Sequence, residues 1–207
     1  MNVHAIGDLA NRYILRAFNA ILPNTTSQLR NAHARHRIEH AQIFHRDDVL
    51  LAQQMGIIMS MQPTHATTDM SYALSRLGPA RLGNGSYAQA TFCHNPNTTL
   101  ILGSDFPVEP PSPLRGMYAA INRLDPDMRT SPHGKEGWYA EQKLNFGEAL
   151  RGFTVDAAYG AFQEGIAGSI EVGKWADWVL VEEIGGGIEM GEGVVRETWV
   201  GGRKVFG

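Results

Sequence analysis

Apolar residues recur at three- and four-residue steps near the start of the chain, at Ile6, Leu9, Ala10, Tyr13, Ile14, Ala17, Phe18 and Ile21. That spacing predicts a helix with one apolar face, ended by Pro23 and fed by a short strand at residues 1–4. Beyond a polar loop at 24–35, residues 37–40 read as a second strand. Asp47 and Asp48 then open a helix that runs to Met55 and stops at Gly56. Residues 57–61 form a third strand, leading into Gln62-Pro63-Thr64-His65 and an irregular stretch to about Ser86 whose length suits an active-site loop. A short helix at 87–93, a fourth strand at 99–102, a Pro-rich loop at 107–113 and a helix at 114–123 follow. Asn145 and Glu148 form a capping pair for one more helix, with Ala149, Leu150, Phe153, Ala157 and Ala161 on its apolar face.

Strands alternating with helices argue for βαβ units and a parallel sheet, so residues 1–165 read as four consecutive β/α units. From residue 166 the character changes. Short β-rich runs at 176–181 and 194–206, separated by Gly185-Gly186-Gly187 and a Gly201-Gly202 turn, predict a small antiparallel appendage over 166–207. Four units are half of a (β/α)₈ barrel, which typically takes ~250 residues, so the chain is expected to be incomplete as an architecture. The expected fold class is α/β, a partial barrel with part of a small β-sandwich.

Charge and composition narrow the partners. With 18 Lys+Arg against 21 Asp+Glu the net charge is −3, which offers no basic field for nucleic acid or a membrane surface. No apolar run reaches the ~18 residues of a spanning helix, and the first residues lack the pattern of a signal peptide. The single Cys93 cannot form an internal disulfide, which fits a reducing, cytoplasmic location. It reads as a small buried hydrophobe.

Three candidate residues share one address. His4, His40 and Asp105 close the first, second and fourth strands, so all three fall on the carboxyl-terminal rim where barrel enzymes collect their chemistry. Neutral imidazoles with a carboxylate are also a usual ligand set for zinc. His65 and Gln62, after the third strand, sit where a substrate-facing donor belongs, although a loop-bracing role suits His65 equally. Glu39 is expected on the opposite face from His40, as a buried hydrogen-bonding group. Asp8 reads as a helix-terminus carboxylate. His33, His36, His45, His94 and His133 read as solvated or locally bonded, Met55, Met59, Met61 and Met70 as core or pocket lining, and Trp175 and Trp178 as packing residues of the appendage.

The strings His4-Ala5-Ile6-Gly7-Asp8, Arg37-Ile38-Glu39-His40-Ala41-Gln42, Ser60-Met61-Gln62-Pro63-Thr64-His65 and Gly103-Ser104-Asp105-Phe106-Pro107-Val108 occur in this order. Together they closely resemble the amidohydrolase-3 family of metal-dependent amidohydrolases, which includes proteins similar to N-substituted formamide deformylases. Residues 168–177 resemble the return of such chains into their β-sandwich. The resemblance implies strands five to eight of the barrel, with His4 and His40 as metal histidines and Asp105 as the aspartate that binds metal and moves protons. It also implies hydrolysis of carbon–nitrogen bonds other than peptide bonds in a small amide, with a divalent cation, zinc above all. The family's His-x-His and carboxylated lysine have no counterpart here, so weak zinc binding and negligible hydrolysis are expected of these residues alone. A non-catalytic member of the family and a hydrolase of esters or phosphoesters are the competing expectations. Open barrel edges are expected to favour self-association.

Overall fold

The computed structural model describes residues 1–22, 33–83, 85–183, 187 and 191–207. Pro23, the loop at 24–32 and Gly185-Gly186 lie outside the described residues. Four strands, β1 (Asn2–Ala5), β2 (Arg37–His40), β3 (Ile58–Met61) and β4 (Leu100–Leu102), form a parallel sheet in the order β1-β2-β3-β4. The register aligns Val3, Ile38, Met59 and Leu100 in one row. All four enter a single apolar core.

Helices flank the sheet. They are α1 (Asp8–Ile21), α2 (Arg46–Met55), α3 (Pro63–Leu77), the short α4 (Pro79–Leu82) and α5 (Gln89–Cys93), α6 (Pro113–Asn122), α7 (Phe146–Phe153) and α8 (Val155–Gly160). Asp47 and Asp48 occupy the first turn of α2, and Gly56 ends it in the left-handed region at φ 68° that a side chain would resist. Helix α7 carries the predicted reciprocal capping box between Asn145 and Glu148. It lies so close to β4 that a Cβ at Gly152 would fall 2.7 Å from the Leu102 Cγ. Met55, Met59, Met61 and Met70 are all buried.

Three expectations are corrected. Helix α1 buries Asn11, Leu15 and Phe18, while Leu9, Tyr13 and Ile21 are 57, 60 and 59% exposed. The apolar positions span more than one face, and the sheet takes the face on which Asn11 can donate to the carbonyls of Ile6 and Ile43. The stretch after residue 62 is largely helical, as α3 and α4, because Pro63 at the first helical position presets φ and needs no N–H partner. The helix expected from 145 to 161 is broken at Thr154 (φ −127°, ψ −89°), which separates α7 from α8.

On the other face Arg37 donates to Glu39 at 2.5 Å and to the Gly160 carbonyl at 3.1 Å, drawing α8 towards the sheet. Glu39 is thus half-buried and hydrogen-bonded. The register places it beside His4. Strands β5 (Trp178–Glu183), β6 (Gly193–Val200) and β7 (Arg203–Phe206) make a separate antiparallel sheet. Gly201 and Gly202, both at positive φ, form its β6–β7 turn, and Trp178 stacks on its cross-strand partner Trp199 at 4.9 Å. Trp175 is more than half exposed. No helix among the described residues is long and apolar enough to cross a membrane.

Candidate metal centre

The carboxyl ends of β1 to β4 open onto a cavity of about 700 Å³. His4, His40, His65 and Asp105 all line it. Three backbone positions on this rim, His40 (φ 76°), Ala41 (φ 49°) and Asp105 (φ 57°), are non-glycine residues in the left-handed region. Such conformations cost of order 1–3 kcal/mol each and persist where the surrounding structure imposes them. At His40 the effect is directional. Leaving the extended region frees its side chain from strand alternation, and its ring meets that of His4 edge-on at 4.3 Å.

Gln62 precedes α3 but makes no side-chain cap to it. Its Oε1 lies 3.0 Å from His40 Nδ1 instead. A carbonyl oxygen only accepts, so in this contact His40 Nδ1 is the donor. Helix α3 then turns His65 inward in its first turn, stacked on His40 at 5.8 Å. This corrects the loop placement expected for His65. The His65 Nε2 is buried without a hydrogen-bond partner and lies 3.9 Å from Asp105 Oδ2, the same distance as His40 Nδ1. Burial, reinforced by His40, holds the His65 pKa below its usual value, so the ring is neutral at pH 7.

His40, His65 and Asp105 each offer a ligand atom within 4.8 Å of the others. His4 stands beside His40 but outside that group. Two zinc bonds of ~2.1 Å reach at most about 4.2 Å, so the widest separation within this span must close by about 0.6 Å to share one ion. An orphaned, buried, neutral imidazole facing a carboxylate across 3.9 Å, too far to hydrogen-bond, is what a cation between them would satisfy. The residues fit a divalent metal.

A second layer went unread in the sequence. Asp69, one turn beyond His65 on α3, accepts hydrogen bonds from Gln42 Nε2 (2.9 Å), the Tyr87 hydroxyl (2.6 Å) and the Tyr72 hydroxyl. The bond to Asp69 pushes the Tyr72 pKa up to about 12, and burial together with Asp69 raises that of Tyr87. Glu109 accepts from Thr68 Oγ1 at 2.8 Å. The i, i+4 spacing of His65 and Asp69 was the available signal, but it carries weight only once the segment is known to be helical.

The other histidines bond locally. His45 caps α2, His94 pairs with Glu148, His133 accepts from the Tyr139 amide, and His36 stacks on Phe18. His33 is exposed. Cys93 is half-buried against the core, which pushes its thiol up to about 11. Asp8 pairs with Arg81 from the first turn of α1.

The chain is 32% identical over 99% of its length to Protein LONG AFTER FAR-RED 3 of Arabidopsis thaliana, covering 33% of that protein. It is 30% identical over 86% of its length to the putative amidohydrolase YtcJ of Bacillus subtilis (strain 168), covering 31% of it. An uncharacterized metal-dependent hydrolase from Pyrococcus furiosus superposes with a TM-score of 0.65 at 27% identity, over 84% of this chain and 31% of that one. The chain therefore spans about a third of the length of these relatives. Residues 1–206 match the family described as the amidohydrolase family, and with that match over nearly its whole length the chain belongs to the amidohydrolase family.

Proposed function

We propose that the rim of β1 to β4 is part of a divalent-metal hydrolase centre that cleaves carbon–nitrogen bonds other than peptide bonds in small amides, with zinc as the ion. These strands would be the fifth to eighth of a (β/α)₈ barrel, over residues 1–165, with residues 166–207 belonging to a β-sandwich. The observation that carries the proposal is the convergence of His40, His65 and Asp105 within 4.8 Å around an unsatisfied His65 Nε2. His4, the resemblance's metal histidine, adjoins His40 and supplies a further imidazole to the same locus.

A bound divalent cation would supply Lewis acidity and lower the pKa of a water molecule to roughly 7. The protein's own residues do the rest. Gln62 holds the His40 ring and its tautomer through Nδ1. Asp105, 39% exposed and so reachable by water, accepts the proton of the attacking water and returns it to the departing amine nitrogen, which leaves poorly as an anion. His65, neutral at pH 7, contributes either a lone pair to the cation or, through a ring N–H, a donor to the substrate carbonyl.

Calorimetric zinc titration of single variants tests the centre. His40→Ala and Asp105→Asn belong to both ligand sets and are expected to lower affinity most, by at least the ~10–100-fold typical of lost supporting contacts. Loss on His65→Ala with retention on His4→Ala makes His65 the third ligand, and the reverse returns it to substrate contact. Zinc affinity untouched by either His40→Ala or Asp105→Asn refutes the centre. Turnover of N-acyl or N-formyl amines by the wild type, lost in Asp105→Asn, separates the hydrolase from a non-catalytic member of the family.

A further inference from the structure

The face of α3 that starts at His65 continues along the cavity through Asp69, Tyr72 and Arg76, at the i, i+4, i+7 and i+11 positions of one helical stripe. The cavity is therefore elongated along the helix, with the candidate centre at its amino-terminal end and Arg76 towards the other. The walls also carry apolar side chains, Ile6, Ile43, Ala73 and Leu77 among them.

Two cations line this cavity, and their situations differ. Arg81 is committed to Asp8 by bonds of 2.9 and 2.6 Å. Arg76 has no carboxylate partner among the described residues, and its guanidinium lies 6.0 Å from the Tyr72 ring. The lining carboxylates nearer the centre are occupied, Asp69 by its three donors and Glu109 by Thr68. Together with Asp105 they carry three negative charges, enough to offset a divalent cation without help from Arg76. The Arg76 guanidinium thus faces the far end of the cavity with no carboxylate paired to it among the described residues.

Resting on the hydrolase reading above, we propose that the substrate is an amide with an apolar linker and a remote carboxylate that pairs with Arg76. Tyr72 lies seven residues from His65, so the Arg76 head beside it stands about 10 Å along the helix from the candidate centre at 1.5 Å per residue. A carboxylate about that far from the reacting carbonyl fits. A substrate neutral at its far end forgoes this contact.

Binding tests this without turnover. Suberic acid monohydroxamate has a metal-chelating head and a carboxylate at about this distance, and its methyl ester is neutral at the same length. Calorimetric titration of the zinc-loaded chain is expected to give about fivefold tighter binding of the acid, the size of an exposed ion pair of ~1 kcal/mol. The preference should vanish in Arg76→Gln, survive in Arg76→Lys and shrink at high salt. Succinic acid monohydroxamate, too short to reach, should show no advantage over its own ester. Equal affinity for the suberic acid and ester, or a preference unchanged in Arg76→Gln, overturns the proposal and leaves the metal centre standing. Absence of zinc-dependent binding by every hydroxamate overturns the metal centre and this proposal with it.

Discussion

At the scale of single residues the site depends on groups whose protonation the fold fixes. Tyr72 and Tyr87 donate to Asp69, and both phenols ionise above their usual range. Raised folded-state values mean that this stabilisation is fully present below pH ~10, where unfolded tyrosine begins to ionise, and is lost as pH rises through the folded values. Absorbance titration of the six tyrosines should therefore show the Tyr72 and Tyr87 phenolates still missing at pH 11, with Tyr72 returning towards pH 10 in Asp69→Asn. Tyr72 ionising with ordinary tyrosines in the wild type would contradict the hydrogen-bonded arrangement. His4, His40 and Asp105 were legible because strand ends in a β/α pattern share one edge. The partnership of His65 with Asp105 was not, since it depends on how the first turn of α3 is aimed by Pro63 and by Gln62, whose side chain bonds His40 and leaves the helix uncapped.

At the scale of elements, sequence periodicity located α1 but not its buried face. Leu15 is fully buried while Tyr13 is 60% exposed. Leu15→Ala should cost about 2–5 kcal/mol in denaturant unfolding, whereas Tyr13→Ser should stay within about 0.5 kcal/mol. The opposite order would show that the apolar stripe from Leu9 to Ile21 is the packed one. Helix α7 was readable to the residue because its capping box is local, each partner lying three positions from the other. Its end at Thr154 was not, because Ala157 and Ala161 keep the helical spacing across the break. There α8 turns so that Gly160 meets Arg37, a contact across more than a hundred residues.

At the scale of the whole molecule, the parallel sheet has β1 and β4 as its outer strands, each pairing with one neighbour among the described residues, and α1 presents Leu9, Tyr13 and Ile21 to solvent. Unpaired edges beside exposed apolar residues favour association. Light scattering of the 207-residue chain should give a mass that rises with concentration, and the Leu9→Lys/Tyr13→Glu pair should shift it towards monomer. A concentration-independent monomer would contradict this. By itself the sequence determined the order of the strands, the helices apart from α3, α4 and the break between α7 and α8, the parallel and antiparallel sheets, the capping box and the rim addresses of His4, His40 and Asp105. Each of these depends on residues close in sequence or on the repeat of a pattern. Only the tertiary structure decided which face of α1 is buried, that His65 joins Asp105 and His40, and that Asp69 and Arg76 line the same cavity. Those relations join residues that the chain holds apart, and they depend on where a helix stands relative to a sheet.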